Sequence, residues 1–482
     1  MVGLAALVAL AAGLAWFPLA PVALAAGGAG VAFGLVRHPW LIWVLLAAAL
    51  PVTSGQRVGP ATLTDLLLAL AVGLWLADGS RRRRLRLEAT PPVYGALLYI
   101  GALSISLWAA PALGEAVREV VKWLEFVAVL LVIRDMVPAG RAPWLVGGLL
   151  VGGLGQGLLG LYQFYYGIGP EWFIILGRFM RASGSFRQPN PYAGYLGLTL
   201  PLAVSLALWA WRRLWLEPGW ASWLSAGFYS AAAGIVAAGL MASWSRGGWL
   251  GAAAGLLVVV ALRSARTMMA TAVATAGLAL ALLVGSLNPT LLPPSVTQRF
   301  ADIPASLGLT DVLQQPLTDE NFAVVERVAH WVAALRMWER APWLGVGPGN
   351  YSVVYPAVRL PLWEDPLGHA HNIYLNVLGE TGLLGLTAYL ALWLVVAHWL
   401  WQRRQAALAV GDEEGWQAAL ALGILGMLAH LTVHNVFDNL FVQGMYVHIA
   451  IGLATLNLAR PDTSKTSLVN PGRNSSIGST QR

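Results

Sequence analysis

Cysteine is absent from all 482 residues. That excludes disulfide staples and thiolate metal sites, so any covalent or metal scaffolding would have to come from other groups. Charge is the second scarcity. Asp, Glu, Lys and Arg make up 11% of the chain, against about a quarter in an ordinary soluble domain. A soluble globular protein of this length is thereby excluded. Alternating segments of about ten residues are missing as well, which removes an outer-membrane barrel from consideration.

What is plentiful is apolar. Hydrophobic residues are 57% of the chain, and the mean hydropathy is +0.65. They fall in runs near the ~20 residues that a spanning helix needs. The pattern predicts an all-α integral membrane protein. Helices are expected at 3–17, 19–36, 40–51, 62–78, 91–109, 117–135, 143–165, 191–211, 222–242, 247–262, 267–287, 371–400, 416–434 and 438–457. The first two can merge and 40–51 is short, so 12–14 transmembrane helices are expected. The opening stretch lacks a basic n-region and an A-x-A-like site, and reads as span rather than signal peptide.

The net charge of +7 reports orientation rather than nucleic-acid binding, because most basic residues sit in short loops between apolar runs. The run Arg81-Arg82-Arg83-Arg84-Leu85-Arg86 should be cytoplasmic. Alternation then puts Arg134, Arg141, Arg212, Arg213, Arg263, Arg266, Arg403 and Arg404 on the same side, with both termini. Residues 1–460 form one polytopic domain with a large outer connection at 288–370, and 461–482 form a disordered cytoplasmic tail. A connection that long usually carries function. Within it, Phe322 to Arg340 reads as a helix whose apolar stripe is Val324, Val328, Trp331, Leu335 and Trp338. Arg327, His330 and Arg340 are expected on its surface.

Several outer arginines break the positive-inside bias: Arg178, Arg181, Arg187, Arg246, Arg327, Arg336 and Arg340. Converging guanidinium groups suit a phosphate or diphosphate, which the planar fork binds through two oxygens. The competing reading is contact with lipid phosphates, or pairing with Glu326, Glu339, Glu364 and Asp365. Arg246 stands apart, since a tight turn between two spans leaves a charge little room to pair. His369-Ala370-His371-Asn372 lies where a span begins. Its H-x-H spacing fits a metal, but no third ligand follows at a matching spacing, so no metal is assigned. A lone histidine there serves equally as a general base or as a structural group. Gly345-Val346-Gly347-Pro348-Gly349 follows no strand and reads as a tight turn rather than a phosphate loop. Arg118, Glu119, Lys122 and Glu125 stand at helical spacings and can neutralise one another.

Three segments together resemble the O-antigen ligase and polymerase superfamily of Wzy/WaaL-like membrane glycosyltransferases. They are Arg181-Ala182-Ser183-Gly184-Ser185-Phe186-Arg187-Gln188-Pro189-Asn190-Pro191, the turn Ser245-Arg246-Gly247-Gly248-Trp249-Leu250-Gly251, and His371-Asn372, nine residues, then Gly382-Leu383-Leu384-Gly385. Their order and shared side carry the resemblance, which covers about residues 140–455. One element departs: the ligases' Arg-x-x-x-Leu is here Arg327-Val328-Ala329-His330-Trp331.

The resemblance implies a GT-C-like helical bundle and a metal-independent, inverting glycosyltransferase that needs no cofactor. Its donor would be an undecaprenyl-pyrophosphate-linked glycan. Its acceptor would be a hydroxyl on another glycan or on lipid A core, at the outer face of the bacterial cytoplasmic membrane. Arg246 and His371 are the implied catalytic residues. Arg181, Arg187, Asn190, Ser245, Arg327 and Asn372 are the implied substrate-binding set. Asn372 could hold the helix start, while Glu380, eight residues further on and about two turns away, reads as structural rather than as a partner of the imidazole. Two alternatives stay open: a protein O-oligosaccharyltransferase of the same superfamily, and a bicarbonate-like solute transporter. Against transport, the spans show no internal repeat and no pair of broken helices.

Overall fold

Long uncharged runs leave the backbone one way to satisfy its own polar groups in hydrocarbon, and the chain takes it throughout. The computed structural model describes residues 19–59, 61–175, 177–274, 313, 316–318, 321–409 and 415–458. Among these the helices are α1 (Leu19–Arg37), α2 (Leu41–Thr53), α3 (Leu63–Arg82), α4 (Pro91–Ser106), α5 (Leu113–Met136), α6 (Ala142–Tyr166) and α7 (Pro189–Leu216). They continue with α8 (Trp220–Ala242), α9 (Arg246–Ala261), α10 (Phe322–Arg340), α11 (Tyr351–Val354), α12 (Ile373–Ala409), α13 (Trp416–His434) and α14 (Met445–Leu458). The only strands among the described residues are two-residue pieces at Arg57–Val58, Ala61–Thr62, Ile174–Ile175 and Phe179–Met180. The protein is an all-α integral membrane protein. Seven described helices are long and apolar enough to cross a membrane, and α2, α9 and α14 are shorter apolar helices. Of the expected spans, 3–17 lies outside the described residues, as do most of 267–287 and the tail.

Local chemistry sets the helix ends. Thr62 and Asp65 close a capping box at the start of α3, and its last turn holds Arg81 and Arg82 beside the negative end of the helix dipole. Pro189 and Pro191 pre-set the first turn of α7. Small residues govern the packing inside. A Cβ on Gly255 would press on the Gly426 carbonyl, and one on Gly248 would press on Ala193. Backbones of α7, α9 and α13 therefore approach closely, as membrane helices do where van der Waals contact replaces hydrophobic drive. This triple contact fixes where the first residue of α9, Arg246, emerges.

α12 is not continuous. Gly382 has φ 63° and ψ −164° within it, a conformation that essentially only glycine adopts. The segment after α10 docks into that break. Leu383 and Leu384 donate to the carbonyls of Pro342 and Trp343, and Val346 and Gly347 donate to those of Gly379 and Glu380. The turn Gly345–Gly349 is a tight turn, with its three glycines all at positive φ. Its amides are spent on α12 and on Glu380, which leaves little for a phosphate.

α10 spans the expected residues but turns a different face inward. Its buried residues are Val325, Ala329, His330, Trp331, Ala333, Ala334 and Met337. Of the expected stripe only Trp331 is fully buried, and His330, expected on the surface, is 1% exposed. The reason is close approach: a Cβ on Gly379 would meet the Ala334 carbonyl at 2.9 Å. Contact that tight needs alanines at the seam, and the larger residues flank it.

Candidate active site

The loop from Arg181 to Pro191 is rigid because two glutamines of α6 hold it. Gln163 Oε1 accepts from the Ser183 and Gly184 amides at 3.1 and 2.7 Å, and Gln156 Oε1 accepts from the Ser185 amide at 2.9 Å. Gly184 sits at φ 55°, and a side chain there would run into Gln156 and Tyr192. The loop then docks on the α8–α9 turn. Ala182 donates to Ala242, and Arg181 Nε donates to the Ser243 carbonyl at 2.9 Å. Arg181 Nη2 reaches Asn190 Oδ1 at 3.2 Å. So Asn190 orients an arginine.

Arg246 opens α9 and is exposed. Ser245 is its helix cap, accepting from the Gly248 amide. The start of α9 also meets the α13–α14 turn, where a Cβ on Gly247 would stand 3.1 Å from Phe437. Arg327 comes from α10. The charges of Arg246 and Arg327 act on Arg181, which burial and those neighbours pull down to about 10. Burial likewise lowers Arg327, against the pull of Asp438 and Glu326. Among the described residues no carboxylate forms an ion pair with any of the three.

The other outer arginines are occupied or apart. Arg178 lies over the Phe179 ring, and Arg336 and Arg340 donate to the Val358 and Ala357 carbonyls. Arg187 is exposed, at φ 62°, with no hydrogen bond or ion pair among the described residues.

The charge of Arg327 reaches Asp438, and His371 stands beside that carboxylate. Its Nδ1 lies 3.6 Å from Asp438 Oδ1, and His369 Nε2 lies 3.7 Å from the same oxygen. Asp438 is in the turn between α13 and α14, a segment pinned by the side chains of Asn435 and Asn439, which accept from the Leu440 and Phe441 amides. Burial would raise the Asp438 carboxyl, but His371 beside it and the other neighbouring imidazoles hold it well below the usual range. It is ionised at neutral pH. The ring of His330 meets that of His371 edge-on at 5.8 Å. His330 itself hydrogen-bonds Tyr351 at 2.9 Å and stacks on Tyr355, and burial pushes it down to about 4.

Asp438 and His330 escaped the sequence reading. The signal for Asp438 was a lone acid in a short turn between two apolar runs. Asp438 is also the third group that the H-x-H spacing lacked, because His369, His371 and Asp438 offer ligand atoms within 4.8 Å of one another. The donor set nevertheless disfavours a metal. His369 Nδ1 accepts the His371 amide hydrogen at 3.0 Å, whereas a metal-bound imidazole donates from its second nitrogen.

Asn372 caps α12, its Oδ1 accepting from Tyr374 and Leu375. Glu380 does not hold the imidazole. Its carboxylate accepts the Gly349 and Tyr351 amides at 3.0 and 2.9 Å. Among the described residues, six non-glycine residues stand at positive φ: Arg187, Trp244, Leu367, His371 and Gln443, in the connections that carry or adjoin the site's segments, and Arg83 at the end of α3.

Residues 231–390 match the family model described as O-Antigen ligase. The match supports the O-antigen ligase and polymerase superfamily. The matched segment contains Arg246, Arg327, His369, His371 and Glu380, while Arg181 and Asp438 come from outside it. That family implies a glycosyltransferase-like enzyme, and with the apolar helices it suggests a membrane setting and a lipid-linked glycan donor. No curated protein matches the chain.

Proposed function

We propose that the protein transfers a glycan from an undecaprenyl-pyrophosphate carrier to a sugar hydroxyl at the outer face of the bacterial cytoplasmic membrane. One observation carries this reading: three arginines without ion-pair partners among the described residues act on one another beside a histidine–aspartate couple. Arg181, Arg246 and Arg327 come from separate elements, and like charges gather at a cost unless an anion joins them. A diphosphate supplies that anion, and a lipid-borne one explains the site's place at the end of a bundle of spanning helices.

In the reaction the acceptor oxygen forms a bond to the anomeric carbon while the bond from that carbon to the diphosphate oxygen breaks. The diphosphate leaves with the electron pair, and the arginines stabilise its growing charge without a metal. Attack opposite the leaving group inverts the anomeric centre. The Asp438 carboxylate, 3.6 Å from His371 Nδ1, favours the tautomer that keeps its hydrogen on Nδ1, which leaves the Nε2 lone pair to remove the acceptor's proton. Asn190 and Ser245 serve by orienting Arg181 and starting α9, Asn372 by starting the helix behind His371, and Arg187 faces solvent beside the donor loop.

The test is transfer by the purified protein in lipid with a polyprenyl-diphosphate glycan. Arg246→Ala and His371→Ala should abolish transfer with expression intact. Full activity in His371→Ala would remove the base assignment. Solute uptake into liposomes without release of lipid diphosphate would favour a transporter. Product analysis separates the acceptors: one glycan on lipid A core, a ladder on the carrier, or sugar on a protein hydroxyl.

A further inference from the structure

The reaction above uses His371 and Asp438 and leaves His369 without a task. His369 is 17% exposed at its side chain and touches both partners. An acceptor nitrogen carries no hydrogen, so the bond from the His371 amide to His369 Nδ1 places the single proton of a neutral His369 on Nε2. That nitrogen faces Asp438. Burial and the charge of His371 hold His369 down to about 4, so it is neutral at pH 7 and this tautomer persists. The Nδ1 bond also closes a three-residue turn that ends at His371, whose φ of 50° is strained in a non-glycine residue.

We infer that His369 is a positioning residue: Nδ1 fixes the strained backbone of His371, and Nε2–H, 3.7 Å from Asp438 Oδ1, points its dipole at the carboxylate that sets the His371 tautomer. The inference rests on the reading of His371 as the base. Two isosteres separate the tasks. In His369→Asn the side-chain oxygen stands where Nδ1 stood and still accepts the His371 amide, but nothing reaches Asp438. In His369→Gln the amide NH2 stands where Nε2 stood and still donates to Asp438, but the backbone acceptor is gone.

The experiment measures kcat, KM for the lipid-linked donor and the pH dependence of kcat/KM, with the full-length protein in lipid. His369→Ala should lower kcat on the order of 10²-fold, as small misplacements of a catalytic group do. KM for the donor should stay within about twofold, because the arginines hold the donor. Asn and Gln should each recover part of kcat. The acidic limb of the profile should shift in His369→Asn and His369→Ala, which leave Asp438 short of a donor, and stay in place in His369→Gln. A merely structural residue would leave that limb unmoved. If His369→Ala folds poorly, His369→Asn, which keeps the backbone bond, carries the test. Wild-type kcat and pH profile in His369→Ala would overturn the inference, as would a loss borne wholly by KM. Activity abolished by a chelator and restored by zinc would also overturn it, since Nε2 would then be a ligand. If His371→Ala is inactive while His369→Ala is unchanged, only this inference fails. If His371→Ala is active, the base reading fails first.

Discussion

Asp438 is surrounded by His369, His371 and His434, with Arg327 close enough for its charge to register. An ionised acceptor there fixes which ring nitrogen of His371 carries hydrogen. Asp438→Asn keeps the shape but presents an amide that can donate, which favours the other tautomer. Its kcat should fall about 10²–10⁴-fold, the usual range for losing a general base, with donor KM little changed. Steady-state kinetics checks this. Two other neutral imidazoles make a second prediction. His330 and His369 sit at about 4 when folded, against an ordinary value of about 6.5. Between those values the unfolded chain binds protons that the folded chain refuses, so stability rises with pH. It is fully present above about 6.5 and is lost as pH falls through 4. The thermal midpoint in detergent should therefore drop from pH 7 to pH 4.5, less so in His330→Gln. A flat midpoint across that window would contradict it. At this scale the sequence showed Arg181, Arg246, Arg327 and His371 as residues out of place in their surroundings. Asp438 was hidden because its partners lie in another segment, and an acid in a turn needs no explanation until the fold brings a histidine to it.

The helices themselves were legible, since apolar runs in lipid have one local solution and Phe322–Arg340 keeps a helical period. The break in α12 was not. Gly-Glu-Thr-Gly reads as an ordinary run within a span, and only the docked segment after α10 shows why Gly382 must bend. Nor was the inward face of α10 visible. Hydrophobicity marks the bulky stripe, whereas packing distance selects Ala329, Ala333 and Ala334. Glu380 links these elements by accepting two backbone amides that have no other partner. Glu380→Ala would leave the buried Tyr351 donor unpaired, at about 1–3 kcal/mol, and the half-buried Gly349 donor unpaired at less. The thermal midpoint should fall clearly in Glu380→Ala, and less in Glu380→Gln, which keeps one acceptor oxygen. Activity should follow stability, with no shift in the pH profile. A shifted profile at unchanged midpoint would instead make Glu380 part of the proton path.

Over the whole molecule the arginines divide into two populations, and the fold keeps them at opposite ends. Arg82 pairs with Asp135 at 3.1 Å, Arg134 pairs with Glu88, and Arg403 and Arg404 reach Asn457 and the Leu262 carbonyl. These contacts join the ends of α3, α5, α9, α12 and α14, the end opposite Arg181, Arg246 and Arg327. The paired end follows the positive-inside rule, and the arginines gathered at the other end fit ligand binding better than orientation. Sidedness is therefore testable without first removing anything, because the chain has no cysteine. Ser80 and Asp365 are both exposed and lie at opposite ends. A membrane-impermeant thiol reagent applied to intact cells, with the outer membrane permeabilised where there is one, should label Asp365→Cys and leave Ser80→Cys unlabelled until the cytoplasmic membrane is opened. The reverse pattern would place the site in the cytoplasm, where a carrier-linked glycan would have to be used before export, and the proposed reaction would lose its setting.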